Sequence, residues 1–219
     1  MRLRIFCDFD GTIALKDVGD QLFIQFSDEA HWWRLVDDWR QKKIDGRELW
    51  RRQAERARIT PAQMDAFAAA QAIDATFPVF VDFCRQNHFP VYVLSDGMDA
   101  YIERILKAHG LADVEVRANH LEMTGDGKLT VQFPYYEENC GQCANCKGAH
   151  IRRERLAGES AVFIGDGYSD LCALKETNIL FAKDDLARYC KEKKLPYQPY
   201  RTFADVQQAF IRKINEGKT

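Results

Sequence analysis

Four short apolar runs, each stopped by a polar residue and followed by a helical stretch, constrain this chain more than any other feature. Leu3-Arg4-Ile5-Phe6-Cys7 ends at Asp8, and Val91-Tyr92-Val93-Leu94 ends at Ser95. Ala161-Val162-Phe163-Ile164 ends at Gly165-Asp166, and Ile179-Leu180-Phe181-Ala182 ends at Lys183-Asp184. Runs this short, without apolar/polar alternation, read as strands covered on both faces, as in a parallel sheet. The intervening segments have the helical period. Phe77 to Asn87 places Phe77, Phe80, Val81 and Cys84 on one face, and Met98 to His109 does the same with Ile102, Ile105 and Leu106 before Gly110 stops it. Lys147 to Leu156, Asp170 to Thr177 and Thr202 to Glu216 supply the remaining crossovers.

This alternation predicts an α/β fold, a doubly wound, Rossmann-like parallel sheet. Two segments depart from it. Residues 16–75 are helical by pattern, with a capping box and an N1 proline in Thr60-Pro61-Ala62-Gln63, and hold all the tryptophans: Trp32, Trp33, Trp39 and Trp50. They read as a small helical cap inserted after strand one, leaving residues 1–15 and 76–219 as the α/β core. The second, His120 to Phe133, alternates Leu121, Met123, Leu129, Val131 and Phe133 with polar residues around Thr124-Gly125-Asp126-Gly127-Lys128, a hairpin pattern. One domain plus an insert suits 219 residues.

Charge and composition exclude several classes. With 31 Lys+Arg against 33 Asp+Glu, the net charge is −2, so no basic field exists to hold nucleic acid. No apolar stretch approaches the roughly 20 residues of a membrane span, and charge interrupts the N-terminal Met1-Arg2-Leu3-Arg4-Ile5 run where a signal peptide needs an apolar core. The expectation is a soluble, cytoplasmic chain with no nucleic-acid or membrane partner. Seven cysteines, an odd number, argue against a disulfide framework.

In an open α/β sheet, ligands bind beyond the carboxyl ends of the strands. Here those ends carry Asp8-Phe9-Asp10-Gly11-Thr12, Ser95-Asp96-Gly97 and Gly165-Asp166-Gly167-Tyr168-Ser169-Asp170. Any one of these motifs alone is ordinary turn chemistry. Jointly they bring Asp8, Asp10, Asp166 and Asp170 to one edge of the sheet, where four carboxylates repel unless a hard cation such as Mg²⁺ neutralises them.

In order and spacing these motifs, with Lys147, resemble those of the haloacid dehalogenase superfamily. The helical insert is similar to the cap of its phosphoserine-phosphatase-like branch. The stretch from Asn139-Cys140 to Lys147 and the segment Phe181-Ala182-Lys183-Asp184 look most like the group that hydrolyses 2-hydroxy-3-keto-5-methylthiopentenyl-1-phosphate in methionine salvage. The resemblance implies a Mg²⁺-dependent phosphomonoesterase acting on a small phosphate ester. Asp8 would be the nucleophile that forms an aspartyl-phosphate, and Asp10 the acid and then the base. Asp8, Asp10 through its carbonyl, and Asp166 would hold the metal, with Asp170 orienting metal-bound water or Lys147. Ser95 and Lys147 would contact the phosphoryl oxygens, and Thr12 and Gly97 would let backbone N–H groups approach them. Asp96 stands where relatives often carry a second glycine, so its extra carboxylate either sits near the substrate as a binding residue or faces solvent. Phosphoserine and phosphocholine or phosphoethanolamine are the alternative substrates, and a non-catalytic Zn-thiolate or redox-sensing protein is the reading from another class.

Asp17 is either a substrate-binding acid or a helix-start residue. The tryptophans read chiefly as the core of the insert, and Arg47, Arg51, Arg52, Arg56 and Arg58 as a charged helix face. Cys140, Cys143 and Cys146 supply three of the four ligands that tetrahedral Zn²⁺ takes. His120 or His150 would have to provide the fourth, and a tight loop of reduced thiols is the favoured reading. Cys7, Cys84, Cys172 and Cys190 occupy apolar positions that suggest core. The sequence leaves the oligomeric state open.

Overall fold

β1, Leu3–Cys7, is buried at every position because it is the central strand. Its side chains alternate between two apolar layers. Leu3, Ile5 and Cys7 join one core cluster and Phe6 joins another on the opposite face. This is the two-sided burial that an uninterrupted apolar run demands. A computed structural model describes residues 2–136 and 140–216, so residues 1, 137–139 and 217–219 lie outside the described residues, Asn139 of the cysteine stretch among them.

The sheet has seven strands in the order β4-β3-β2-β1-β5-β6-β7. These are β2 Val91–Met98, β3 Glu115–Met123, β4 Leu129–Gln132, β5 Ser160–Gly165, β6 Ile179–Ala182 and β7 Gln198–Pro199. All pair in parallel except β4, which runs antiparallel to β3 with Met123 opposite Leu129. The hairpin is therefore present, closed by the Thr124 N–H donating to the Lys128 carbonyl and by Gly127 at φ +83°. Its first strand begins earlier than the alternation suggests, because residues from Glu115 onward pair with β2. The two-residue β7 has no sequence signal.

Helices α1 Val18–Phe26, α2 Glu29–Arg40, α3 Gly46–Arg56 and α4 Pro61–Ala69 fill the segment after β1. Each starts on a side-chain cap: Asp17, Asp28 and Asp45 accept from the backbone N–H three residues on, and Thr60 and Gln63 form a reciprocal capping box. Ala14 pairs with Ile73 where this segment leaves and rejoins the sheet. α5 Phe77–Gln86, α6 Asp99–Ala108 and α9 Phe203–Glu216 pack on one face of the sheet, with Phe77 and Phe80 against Phe203. α7 Lys147–Glu154, a 3₁₀ stretch Tyr168–Glu176 and α8 Asp184–Lys193 contribute Ile151, Ala173, Leu186 and Cys190 to the other. No helix among the described residues is long and apolar enough to cross a membrane.

Candidate active site

Parallel pairing places Cys7 of β1 beside both Val93 of β2 and Ile164 of β5, so the residues that follow these strands emerge at one end of the sheet. Asp8 is the first beyond β1 and is 3% exposed. Its N–H still donates to the Ile164 carbonyl, and its Oδ1 accepts from the Phe9 N–H at 2.7 Å. The chain then makes a wide turn closed by the Ala14 N–H on the Phe9 carbonyl. Gly11 sits in that turn at φ +72°, and a Cβ there would run into the Asp166 carboxylate.

Asp10 is held by four donors. Its Oδ1 accepts from the N–H groups of Val18 and Gly19 at 2.9 and 3.3 Å, which ties it to the start of α1. Its Oδ2 accepts from the Tyr101 hydroxyl at 3.0 Å and the Ser95 hydroxyl at 3.2 Å. Burial, helped by the charge of Asp17, pushes its carboxyl up to about 7 against the pull of these donors. Such a carboxyl can carry a proton near neutral pH and release it.

Lys147, the first residue of α7, is 1% exposed and stands between two acids. Its Nζ lies 2.6 Å from Asp8 Oδ1 and 2.5 Å from Asp170 Oδ1, and it also donates to the Ser169 hydroxyl at 3.0 Å. Burial alone would drive the proton off this amine, but Asp170 and Asp8 more than reverse that and keep it an ammonium. Asp170 is fully buried, and its other oxygen accepts from the N–H groups of Asp166 and Gly167 at 2.9 and 3.0 Å. It therefore orients Lys147 and the Asp166 loop. Burial and the charge of Asp170 push Asp166 up to about 7, opposed by the Thr12 hydroxyl, which donates to it at 2.6 Å. The Thr12 side chain is thus committed to orienting Asp166, and Thr12 does not line the cavity.

The oxygens of Asp8, Asp166 and Asp170 come within 4.8 Å of one another, a hard all-oxygen donor set that fits Mg²⁺. Asp8 and Asp166 are the residues of this set that would hold it, since both Asp170 oxygens already have protein partners.

Within β2, where the pairing register shifts between Leu94 and Met98, the Gly97 N–H donates to Ser95 Oγ at 2.9 Å. A Cβ on Gly97 would collide with the Tyr101 hydroxyl, so only glycine lets α6 bring that hydroxyl to Asp10. Asp96 accepts from the Asn145 N–H at 2.6 Å, and its own carbonyl accepts from Asn119. This acid lines the cavity and also anchors the loop before Lys147. Tyr101, Ser169 and Asn145 were not singled out from the sequence.

A cavity of about 270 Å³ opens from Asp8, Asp10, Ser95, Lys147 and Asp166 toward α1–α3. Asp17 and Asp20 face it from α1, Arg40 from α2 and Trp32, Trp39 and Trp50 from the helical layer. Asp17 caps α1, one of the two roles the sequence allows it, and also lines the cavity. Trp32 and Trp50 are core as well, the first stacked on Phe23 and the second tilted against it, whereas Trp33 is 42% exposed. The basic run stays outside: Arg47 lies over Tyr136, Arg51 over Phe133, Arg52 pairs with Glu48, and Arg58 caps the end of α3.

Replacing Tyr101 with Phe removes one donor from Asp10 and leaves the packing intact. A hydrogen bond to a charged group contributes about 1.5 kcal/mol, so kcat is expected to fall about tenfold with little change in KM. Steady-state kinetics at unchanged kcat would show that the hydroxyl is not needed to place Asp10.

Of the two histidines considered as a fourth metal ligand beside the cysteine loop, neither is available. His120 is engaged by Asp99 at 2.5 Å, and His150 has Asn145 Oδ1 at 2.5 Å on one ring nitrogen and Arg153 at 2.8 Å on the other. Cys172, assigned to the core from its sequence neighbours, instead lies 3.8 Å from Cys143, sulfur to sulfur.

Residues 5–175 match the family model described as haloacid dehalogenase-like hydrolase. The 2-hydroxy-3-keto-5-methylthiopentenyl-1-phosphate phosphatase of Brevibacillus brevis is 30% identical over 212 residues, covering 94% of this chain and 93% of that protein. The Schizosaccharomyces pombe protein named Pdp3-interacting factor 1 is also 30% identical, over 219 residues, with 94% of each chain covered. Among solved structures, a phospho-aspartyl intermediate analogue of phosphoserine phosphatase superposes with a TM-score of 0.73 at 18% identity, covering 95% of this chain and 98% of the other.

Proposed function

The chain belongs to the haloacid dehalogenase-like hydrolases, and on that footing we propose that this phosphatase cleaves a small phosphomonoester through a covalent phosphate on Asp8. The observation that carries the reading is the setting of Asp8, a carboxylate at the tip of the central strand, fixed by Phe9 and Lys147, with Asp10 beside it at the floor of a cavity. An Asp8 oxygen attacks phosphorus and the ester oxygen leaves, taking a proton from Asp10. Water then attacks the same phosphorus, giving its proton to Asp10 and freeing Asp8. One hard displacement becomes two easier ones. Ser95 and Lys147 line the same cavity, a hydroxyl and an ammonium suited to the transferring phosphoryl oxygens.

Asp8 and Asp166 would hold Mg²⁺, which when bound supplies positive charge that screens an anionic nucleophile from an anionic ester. Chelation is therefore expected to stop phosphate release, and added Mg²⁺ to restore it. Turnover that survives exhaustive chelation contradicts this part of the reading.

The α1–α4 layer acts as the cap that selects the ester. Its Trp32, Trp39 and Trp50 offer apolar surface for a thioether tail, which favours 2-hydroxy-3-keto-5-methylthiopentenyl-1-phosphate, the substrate in the name of the Brevibacillus relative. Asp17, Asp20 and Arg40 favour a second reading, since they offer an ammonium and a carboxylate their partners, as phosphoserine would require. Phosphate release over a panel of metabolite phosphomonoesters, with Asp8→Asn as blank, separates the two. A kcat/KM highest for the enol phosphate supports the first, and one highest for phosphoserine replaces it.

A further inference from the structure

The sequence offers only three clustered thiols, and the fold brings a fourth to them. Cys140, Cys143 and Cys146 have sulfurs within 4.8 Å of one another. Cys143 Sγ lies 3.4 Å from Cys140 Sγ and 3.8 Å from Cys172 Sγ, so Cys143 links the fourth thiol to the loop. In a tetrahedral zinc–thiolate site with Zn–S near 2.3 Å, neighbouring sulfurs stand about 3.8 Å apart. The Cys143–Cys172 separation matches that edge, and the Cys140–Cys143 separation is about 0.4 Å shorter. They are too long for the roughly 2.05 Å of a disulfide.

We infer that Cys140, Cys143, Cys146 and Cys172 form a structural Zn²⁺ site of four thiolates, separate from the carboxylate cluster that serves the phosphate ester. Binding exchanges four thiol protons for one Zn²⁺ and leaves a net charge of −2 on the cluster. The surroundings suit that charge: Lys42, Arg152 and Lys175 line the same hollow, and Cys146 occupies the N-cap of α7, where the helix presents its positive end. The hollow is about 440 Å³ and open to solvent at exposed Cys140, which gives the ion an entry path. The remaining cysteines, Cys7, Cys84 and Cys190, are buried in apolar layers.

The placement assigns the ion its work. Cys146 directly precedes Lys147, and Cys172 follows Asp170 by two residues. An ion bridging them fastens together the two chain segments whose side chains meet as the Lys147–Asp170 pair. The loop also grips the helical layer. The Gly46 N–H and the Trp39 indole donate to the Gln142 carbonyl, and the Gln142 amide donates to the carbonyls of Trp39 and Ile44. The site therefore holds a junction among α7, the 3₁₀ stretch and the α2–α3 connection.

The full chain, purified under reductant without chelator, is the sample for the test, and its metal is read by elemental analysis rather than by turnover. One Zn per chain is expected, and alkylation mapped by mass spectrometry should spare Cys140, Cys143, Cys146 and Cys172 until the ion is stripped. Reconstitution of the stripped protein with Co²⁺ should give the intense visible bands of tetrahedral cobalt–thiolate. Cys172→Ser and, at the exposed corner, Cys140→Ser should weaken Zn²⁺ binding by more than about 100-fold, beyond the loss typical of an outer-shell change. Cys190→Ala should keep one Zn. A reduced wild-type chain that takes up no Zn²⁺ overturns the proposal, as does stoichiometric iron in its place. Cys140→Ser binding Zn²⁺ as tightly as wild type also overturns it, even if Cys172→Ser fails to fold.

Discussion

Asp8→Asn is expected to lower phosphate release by about 10,000-fold or more while leaving the fold in place. The substitution keeps the volume of the side chain and one acceptor oxygen, so the contacts to the Phe9 N–H and Lys147 persist. What disappears is the anion that attacks phosphorus. A neutral amide cannot form the acyl phosphate, and the residual rate is that of water attacking an ester held by Ser95 and Lys147. Stability should move by less than about 1 kcal/mol, because the variant loses attraction to Lys147 together with repulsion from Asp170 and Asp166. A variant that retains a tenth of wild-type turnover after contaminants are subtracted would remove Asp8 from the attacking role.

Lys147→Met is expected to cost about 3–5 kcal/mol of folding free energy, the usual penalty for leaving buried charge uncompensated. The ammonium stands between Asp8 and Asp170, whose side chains are 5% and 0% exposed. Without it two carboxylates share one dry site and must bind protons or repel. Domains of this kind have about 5–15 kcal/mol in total, so the loss is a large share, visible as a melting point lowered by about 10 °C or more. Turnover should vanish as well. Adding Asp170→Asn removes one of the stranded charges and should recover part of the stability, since the Asn oxygen can still accept from the Asp166 and Gly167 N–H groups, as the single Asp170 Oδ2 does in the wild type. Chemical denaturation of both variants measures this, and a Lys147→Met loss below 1 kcal/mol would mean that the ion pair does not hold this end of the sheet together.

These residues were visible in the sequence because parallel strands leave a direct trace. An uninterrupted apolar run followed by Asp or Ser marks a strand tip, and β1, β2, β5 and β6 lie where such runs stand. Capping residues are local too, which is why the Thr60–Gln63 box is present as expected. What the sequence hid depends on distant chain meeting. The Thr12 hydroxyl meets Asp166 only through the fold, and Tyr101, which belongs to no motif, reaches Asp10 only because Gly97 leaves it room. Cys172 reads as core because its neighbours Leu171 and Ala173 are apolar, yet the 3₁₀ stretch turns its sulfur toward a loop 29 residues away. Spacing along the chain cannot display a pairing of that kind. The helical insert was legible as helices, but which of its side chains face the cavity follows from how α1–α3 sit over the strand tips.

The stereochemical course at phosphorus tests the central claim most directly. With a hydrolysed ester made chiral by oxygen isotopes, two in-line displacements through Asp8 predict retention of configuration in the released phosphate. Inversion would mean that water attacks the ester in a single step, and that Asp8 carries no phosphoryl group.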